Sequence, residues 1–256
     1  MSTGERVAFL VAGVQKGGTT ALFRYLDDIP SLSMAPVKET HFFDDETGSD
    51  WSRPDYARYH AMFPPADRRP WGEATPIYIY WPNCLERIKA YDPAMKLVLL
   101  FRDPVQRAWS QWKMEFARGW ESEPFAWAIR AGRARVDSPE NPGFHRIFSY
   151  VERGFYGGQL QRVFELFPRE QVLLLLSDEL KADPDATLAR VCRFVGAAPP
   201  AAPVTPRREL VSRDIDYGSR LTEADVGYLR DLYAEDHERF EQLLGRRVDW
   251  ARPAHG

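Results

Sequence analysis

Three apolar runs divide the chain, and each leaves room for a helix before the next. Residues 6–14, RVAFLVAGV, are rich in Val and Phe and end at a glycine, which fits a buried strand. After Gly17-Gly18, the stretch TTALFRYLDDI sets Leu22, Tyr25, Leu26 and Ile29 at helical spacing. Residues 96–101, KLVLLF, repeat the pattern: they stop at Arg102-Asp103-Pro104, and Ala108, Trp109, Trp112 and Phe116 then mark a helix. Residues 171–176, QVLLLL, give a third strand, with a helix over about 184–195. Three strands, each followed by a helix, predict a single-domain α/β fold over residues 1–256, with a parallel sheet flanked by helices on both faces. Sites in such sheets lie beyond the carboxyl ends of the strands, which directs attention to loops 13–20, 102–110 and 177–183. The proline-rich stretch 199–206, PPAAPVTP, predicts an extended connector. Thr222 and Asp225 form a capping-box pattern that opens a last amphipathic helix over about 222–244, with Leu229, Leu232, Tyr233, Phe240 and Leu243 on its apolar face.

Composition narrows the function. The 34 Lys and Arg against 37 Asp and Glu leave a net charge of −3, and only six of the basic residues are lysines. With 44% hydrophobic and 13% aromatic residues, the chain has the material for a core and not the profile of a disordered segment. A nucleic-acid partner would call for a basic excess that is missing here. Two cysteines, Cys84 and Cys192, point to a reducing compartment, and no apolar run approaches the ~18 residues of a membrane helix. With no signal-peptide pattern in MSTGERVAFLVAG, the expectation is a cytoplasmic protein with no membrane partner. Seven of the eight tryptophans lie between Trp51 and Trp127, most of them expected in the core.

The chemistry concentrates in the loops. Gly13-Val14-Gln15-Lys16-Gly17-Gly18-Thr19-Thr20 joins the first strand to its helix, where backbone N–H groups and the helix dipole favour an anion. Against the nucleoside-triphosphate loop G-x-x-x-x-G-K-[ST], Gly13, Gly18 and Thr20 fit. The lysine position, however, holds Thr19, and the nearby lysine is Lys16. That shift suits a nucleotide without a γ-phosphate and without a metal. Arg102 and Ser110, at a strand end and on the next helix, would hold a second phosphate. Asp103 as a magnesium carboxylate is disfavoured by its neighbours Arg102 and Pro104. In Lys38-Glu39-Thr40-His41-Phe42-Phe43-Asp44, an extended backbone would turn Glu39 and His41 to the same side, as a general base working near neutrality. Gly72-Glu73-Ala74-Thr75-Pro76 reads as a polar turn before aromatic residues 77–81.

Taken together, GVQKGGTTAL at 13–22, KETHFFD at 38–44, GEATP at 72–76, KLVLLFRDPVQRAWSQW at 96–112, the region 150–196 and LLGRRVDW at 243–250 resemble the sulfotransferases that use 3′-phosphoadenosine 5′-phosphosulfate (PAPS). The branch is that of the heparan sulfate sulfotransferases and small soluble bacterial enzymes, and the match in order and spacing covers nearly the whole chain. The resemblance implies a P-loop-like fold and a 5′-phosphosulfate site at Lys16, Gly17, Gly18, Thr19 and Thr20, with Lys16 stabilising the leaving oxygen. It implies a 3′-phosphate site at Arg102 and Ser110, and Glu39 as catalytic base beside His41. Arg220 is expected to close over the donor, although the tract from Arg207 to Arg220 matches the family poorly. Where glycan-modifying relatives often carry lysine, this chain has Ala74.

The activity so implied is transfer of a sulfuryl group from PAPS to a hydroxyl or phenol of a small molecule, such as a natural product, leaving 3′-phosphoadenosine 5′-phosphate (PAP) with no metal. Residues 117–148 and the aromatics of 51–81 are expected to shape the acceptor side. The alternatives are a glycan or lipid sulfotransferase, an ATP-dependent small-molecule kinase with a variant loop, and a nucleotide-binding module that has lost catalysis. Missing anchors and disulfides speak against a Golgi-type glycan enzyme.

Overall fold

A computed structural model describes residues 6–65, 69–137, 143–205 and 215–250. Five strands, β1 (Val7–Gly13), β2 (Ser33–Met34), β3 (Trp71–Ala74), β4 (Lys96–Phe101) and β5 (Val172–Leu176), form one parallel sheet in the order β2-β3-β1-β4-β5. The helices are α1 (Thr19–Asp27), α2 (Tyr56–His60), α3 (Cys84–Tyr91), α4 (Pro104–Ala117), α5 (Phe125–Ala128), α6 (Tyr156–Leu166), α7 (Ser177–Ala182), α8 (Pro184–Val195) and α9 (Glu223–Leu244). The expected α/β class and parallel sheet are therefore present. Two strands appear that the hydrophobic pattern did not predict. One of them, β3, replaces the expected polar turn at Gly72–Ala74.

The chain divides into two compact units. One comprises the described residues of Met1–Arg102 and Val163–Leu210, the other those of Asp103–Arg162 and Val211–Gly256. The first unit holds the whole sheet. Phe9 and Val11 of β1, Val98 and Leu100 of β4 and Leu175 of β5 pack with Leu22 and Leu26 of α1 and with Leu188 and Val191 of α8. The alternate residues Leu10, Ala12, Leu97 and Leu99 are buried as completely, so both faces of the central strands are covered. This explains why β1, β4 and β5 read as unbroken apolar runs. The loop expected at 177–183 is instead α7, which follows β5 without a gap.

In the second unit, Trp112, Phe125, Ile129, Tyr150, Leu229 and Tyr233 make a separate core. Trp109 stacks on Trp112 at 5.0 Å, but of the seven tryptophans from Trp51 to Trp127 three (Trp71, Trp81 and Trp112) are buried in the core, and Trp120 and Trp127 are exposed, contrary to expectation. The capping box forms at α9, where Thr222 and Asp225 each accept from the other's backbone N–H at 3.2 Å. The Asp236 carboxylate accepts from the amides of Gly157 and Gly158 at 2.7 and 2.8 Å, tying the start of α6 to α9. One of the arginines is plainly structural: fully buried Arg107 donates to Gln111 at 2.8 Å and to the Tyr150 carbonyl, a use that suits a planar fork better than an ammonium. Residues 199–205 have no regular structure, while Pro206 and residues 207–214 of the poorly matched tract lie outside the described residues.

Candidate active site

Because all five strands run parallel, the segments that follow β2, β3, β1 and β4 leave the sheet at one edge. They carry Glu39 and His41, Thr75, Lys16, and Arg102 respectively. The glycine loop is pinned at its start by Val14, whose N–H donates to the Leu100 carbonyl of β4 at 3.1 Å. Gly17 then donates to the Val14 carbonyl at 2.9 Å, in a turn so tight that a Cβ on Gly17 would sit 2.3 Å from the Leu100 oxygen. Lys16 takes a left-handed φ of 68° and Gly18 one of 96°. Gly18 is also the N-cap of α1, where no side chain accepts from the first amides and no acid stands in the first turn. A helix start without its own acceptor, next to a lysine, fits an anionic group. Arg102 joins the same loop, its guanidinium donating to the Lys16 carbonyl at 3.4 Å. The structure thus brings Lys16, Gly17, Gly18, Thr19, Thr20 and Arg102 together.

Residues 38–44 are not extended, contrary to expectation. Glu39 and His41 both adopt left-handed φ values, 65° and 53°, a conformation that costs a residue with a side chain roughly 1–2 kcal/mol. The two side chains still meet, because the backbone turns at each side of Thr40: His41 Nε2 lies 3.6 Å from Glu39 Oε2. On its other nitrogen, His41 Nδ1 pairs with Asp44 at 3.0 Å. Hydrogen bonds to Asp44 and then Glu39 raise the imidazole to about 9, against a smaller opposing effect of burial. Burial pushes Glu39 upward, but the His41 hydrogen bond and the adjoining Lys38 ammonium together outweigh it and lower the carboxylate to about 2. The pair is therefore an imidazolium–carboxylate ion pair at neutral pH and not a base tuned near neutrality. Lys38, which forms a close ion pair with Glu39 Oε1, is a functional candidate that the motif reading left out; its place beside Glu39 was the signal for it.

Glu73 of β3 was the other omission. It is completely buried, and its carboxylate accepts from four hydroxyls: Thr40 and Thr75 at 2.7 Å, Tyr59 at 2.8 Å and Tyr78 at 3.1 Å. Burial raises its pKa and the four donors oppose that rise. Burial also pushes both phenols well above their ordinary value, so they remain protonated donors. Hydrogen bonds to a charged group contribute ~1.5–3 kcal/mol each, which makes a buried acid tolerable here. The next residue, Ala74, points into the apolar cluster with Phe9 and Leu22.

The remaining predicted residues belong to the second unit. Ser110 lies half-buried in the second turn of α4, and Arg220 is exposed just before α9. Asp103 caps α4 by accepting from Val105 at 2.8 Å and pairs with Arg230 at 3.1 Å. Among the described residues, no group of three or more His, Cys, Asp or Glu is placed to hold a metal ion. Among them, too, no helix is long and apolar enough to cross a membrane.

A parallel α/β sheet with a glycine loop, two cations and an acid–imidazole pair along one carboxyl edge has the form of an enzyme for an anionic group. Residues 7–213 match the Sulfotransferase domain, and the chain belongs to that family of transferases. Among its relatives, human heparan sulfate glucosamine 3-O-sulfotransferase 6 is 29% identical over 94% of this chain and 72% of its own. The membrane-associated sulfotransferase kil1 of Dictyostelium discoideum is 36% identical, over 41% of this chain and 22% of its own. A solved sulfotransferase from Alicyclobacillus acidocaldarius superimposes with a TM-score of 0.80 at 26% identity, covering 96% of this chain and 99% of that one.

Proposed function

We propose that the enzyme transfers the sulfuryl group of PAPS to an acceptor hydroxyl, with PAP as the second product. The observation that carries this reading is the glycine loop with its lysine displaced to Lys16 and with Arg102 bonded to the same backbone at 3.4 Å. The Gly17 turn and the uncapped start of α1 fit a phosphosulfate, and Lys16 would stabilise the negative charge that develops on the leaving oxygen. PAPS supplies the activated sulfuryl group. Arg102 is assigned to the 3′-phosphate, Ser110 keeps the role that the family pattern implies for it, and Arg220 keeps the closing role expected of it. Glu39 takes the proton of the acceptor hydroxyl as that oxygen attacks sulfur, and His41 holds the carboxylate in place. Lys38 supplies positive charge that Ala74 does not. The chemistry requires no metal, since Lys16 and amide dipoles suffice for a sulfuryl group, which carries less charge than a γ-phosphoryl group. Cys84 and Cys192, both buried as thiols, support a cytoplasmic setting.

Two acceptor classes follow. A small-molecule hydroxyl or phenol, such as that of a natural product, is the expectation from the sequence. A glycan hydroxyl is favoured by the relatives named for heparan sulfate. Assaying labelled PAPS against a panel of phenols, hydroxylated metabolites and heparan sulfate separates them by which acceptor takes up label.

The donor assignment is tested by thermal shift with PAP, ADP and ATP–magnesium. PAP is expected to stabilise the protein most. Arg102→Ala is expected to weaken PAP by roughly 10-fold or more, the worth of a charged hydrogen bond, and ADP far less. Equal losses for PAP and ADP would remove Arg102 from the 3′-phosphate, and a magnesium-dependent preference for ATP would favour a kinase.

A further inference from the structure

We infer that Glu73 is a positioning residue that sets the Glu39–His41 pair through the Thr40 hydroxyl. The inference rests on the reading of Glu39 as the base. Thr40 is the one residue between the pair, and its hydroxyl donates to Glu73 Oε2 at 2.7 Å with the Tyr78 hydroxyl 3.3 Å away. Next to it, the Glu39 N–H donates to the Ala74 carbonyl at 3.0 Å. Two consecutive residues of β3 thus grip two consecutive residues of the loop, one by side chain and one by backbone. That grip spans the stretch where both Glu39 and His41 are left-handed, a shape that nothing in a chain of non-glycine residues favours by itself.

The strand that grips the loop also fixes it relative to the donor side. Glu73 and Ala74 are in register with Leu10 and Val11 of β1, the strand that runs on into the glycine loop. The base and the phosphosulfate loop are therefore referenced to one strand pair. A burial site built only for stability would be better served by an apolar side chain than by a carboxylate needing four donors. Tyr59 and Tyr78 hold Oε1, leaving Oε2 to Thr40 and Thr75.

The groups facing the His41 imidazole are Glu39 and Asp44, and Lys38 faces Glu39 from the other side. Thr40 is only half-buried, so its variants are the gentler test: Thr40→Val removes the hydroxyl at equal size, and Thr40→Ser retains it. His41 is to be titrated by NMR in the donor-free protein and again with PAP. kcat and KM are to be measured with PAPS and whichever of heparan sulfate or 4-nitrophenol the wild type sulfates. In Thr40→Val, the imidazole is expected to titrate at lower pH than in wild type, with kcat reduced roughly 10- to 100-fold and the KM for PAPS unchanged. Thr40→Ser is expected to return both readouts close to wild type.

A Thr40→Val protein whose His41 titrates as in wild type overturns the inference, whatever its activity. So does an unchanged kcat in Thr40→Val where Glu39→Gln is inactive. If Glu39→Gln itself retains its rate, the base assignment fails instead, and the His41 titration alone then decides whether Glu73 and Thr40 hold the pair.

Discussion

Glu39→Gln is expected to lower kcat for sulfuryl transfer roughly 10²-fold or more while leaving PAP affinity near that of the wild type. The amide has the shape of the carboxylate but does not take a proton, so the loss falls on the chemical step. Glu39 is ionised throughout the physiological range, because Lys38 and the His41 imidazolium hold its pKa near 2. The low value makes it a weak base in the resting enzyme. Its basicity would rise if the Lys38 ammonium turned to the sulfuryl group, and Lys38→Met allows that effect to be measured separately.

Neither neighbour is a ready substitute. His41 is already protonated at neutral pH, and Glu73 is fully enclosed by its four donors. A Glu39→Gln enzyme that turned over at the wild-type rate would therefore remove the proposed proton acceptor altogether. The ion pair also carries a pH signature. The His41 pKa is raised on folding, so its contribution to stability is complete below the imidazole's usual ~6.5 and disappears as pH rises through about 9. The Glu39 pKa is depressed, so its contribution is present above the usual carboxylate value and is lost as pH falls towards 2. Denaturant midpoints measured across pH for wild type and His41→Gln should diverge below pH 6.5 and converge above pH 9.

Gly17→Ala is expected to impair donor binding more than any other single-methyl change in the loop. The added Cβ would stand 2.3 Å from the Leu100 carbonyl oxygen and 2.9 Å from both the Val14 oxygen and Val14 Cγ2. Two of these atoms are backbone, one of them in the central strand β4, so no rotamer change relieves the contact. Overpacking of this kind costs ~1–3 kcal/mol, and the loop would open to avoid it. A PAP affinity reduced roughly 10- to 100-fold and a lower Tm are expected, measured by calorimetry and thermal denaturation. Wild-type PAP binding by Gly17→Ala would mean that the turn is not the anion cradle.

How far the sequence carried the fold depended on how each strand is buried. β1 lies in the middle of the sheet, β4 beside it and β5 at an edge, and all three are buried almost throughout, so their apolar runs announced them. β2 is only two residues long, and β3 carries Gly72 and Glu73 in its four positions, which reads as a turn. Glu73 fits a buried strand because four hydroxyls satisfy it, and two of them, from Thr40 and Tyr59, are remote in sequence, which no local pattern signals.

The site divided in the same way. Lys16, Arg102, Glu39 and His41 could be singled out because their motifs are short and continuous. The left-handed turns at Glu39 and His41 could not, since no glycine marks them. The direction of the Glu39 pKa was likewise out of reach, because it depends on His41 and Lys38 closing around the carboxylate in three dimensions.

The sheet order bears on how the chain reaches this state. β1 pairs with β3 and β4, yet it precedes them by dozens of residues, with β4 beginning more than 80 residues after β1 ends. At a synthesis rate of ~5–20 residues per second, the apolar strand VAFLVAG waits several seconds for both partners. Parallel pairing over such separations is slow to close and exposes an adhesive edge meanwhile. Yield during expression should therefore depend more on chaperone supply and temperature than the finished protein's stability would suggest.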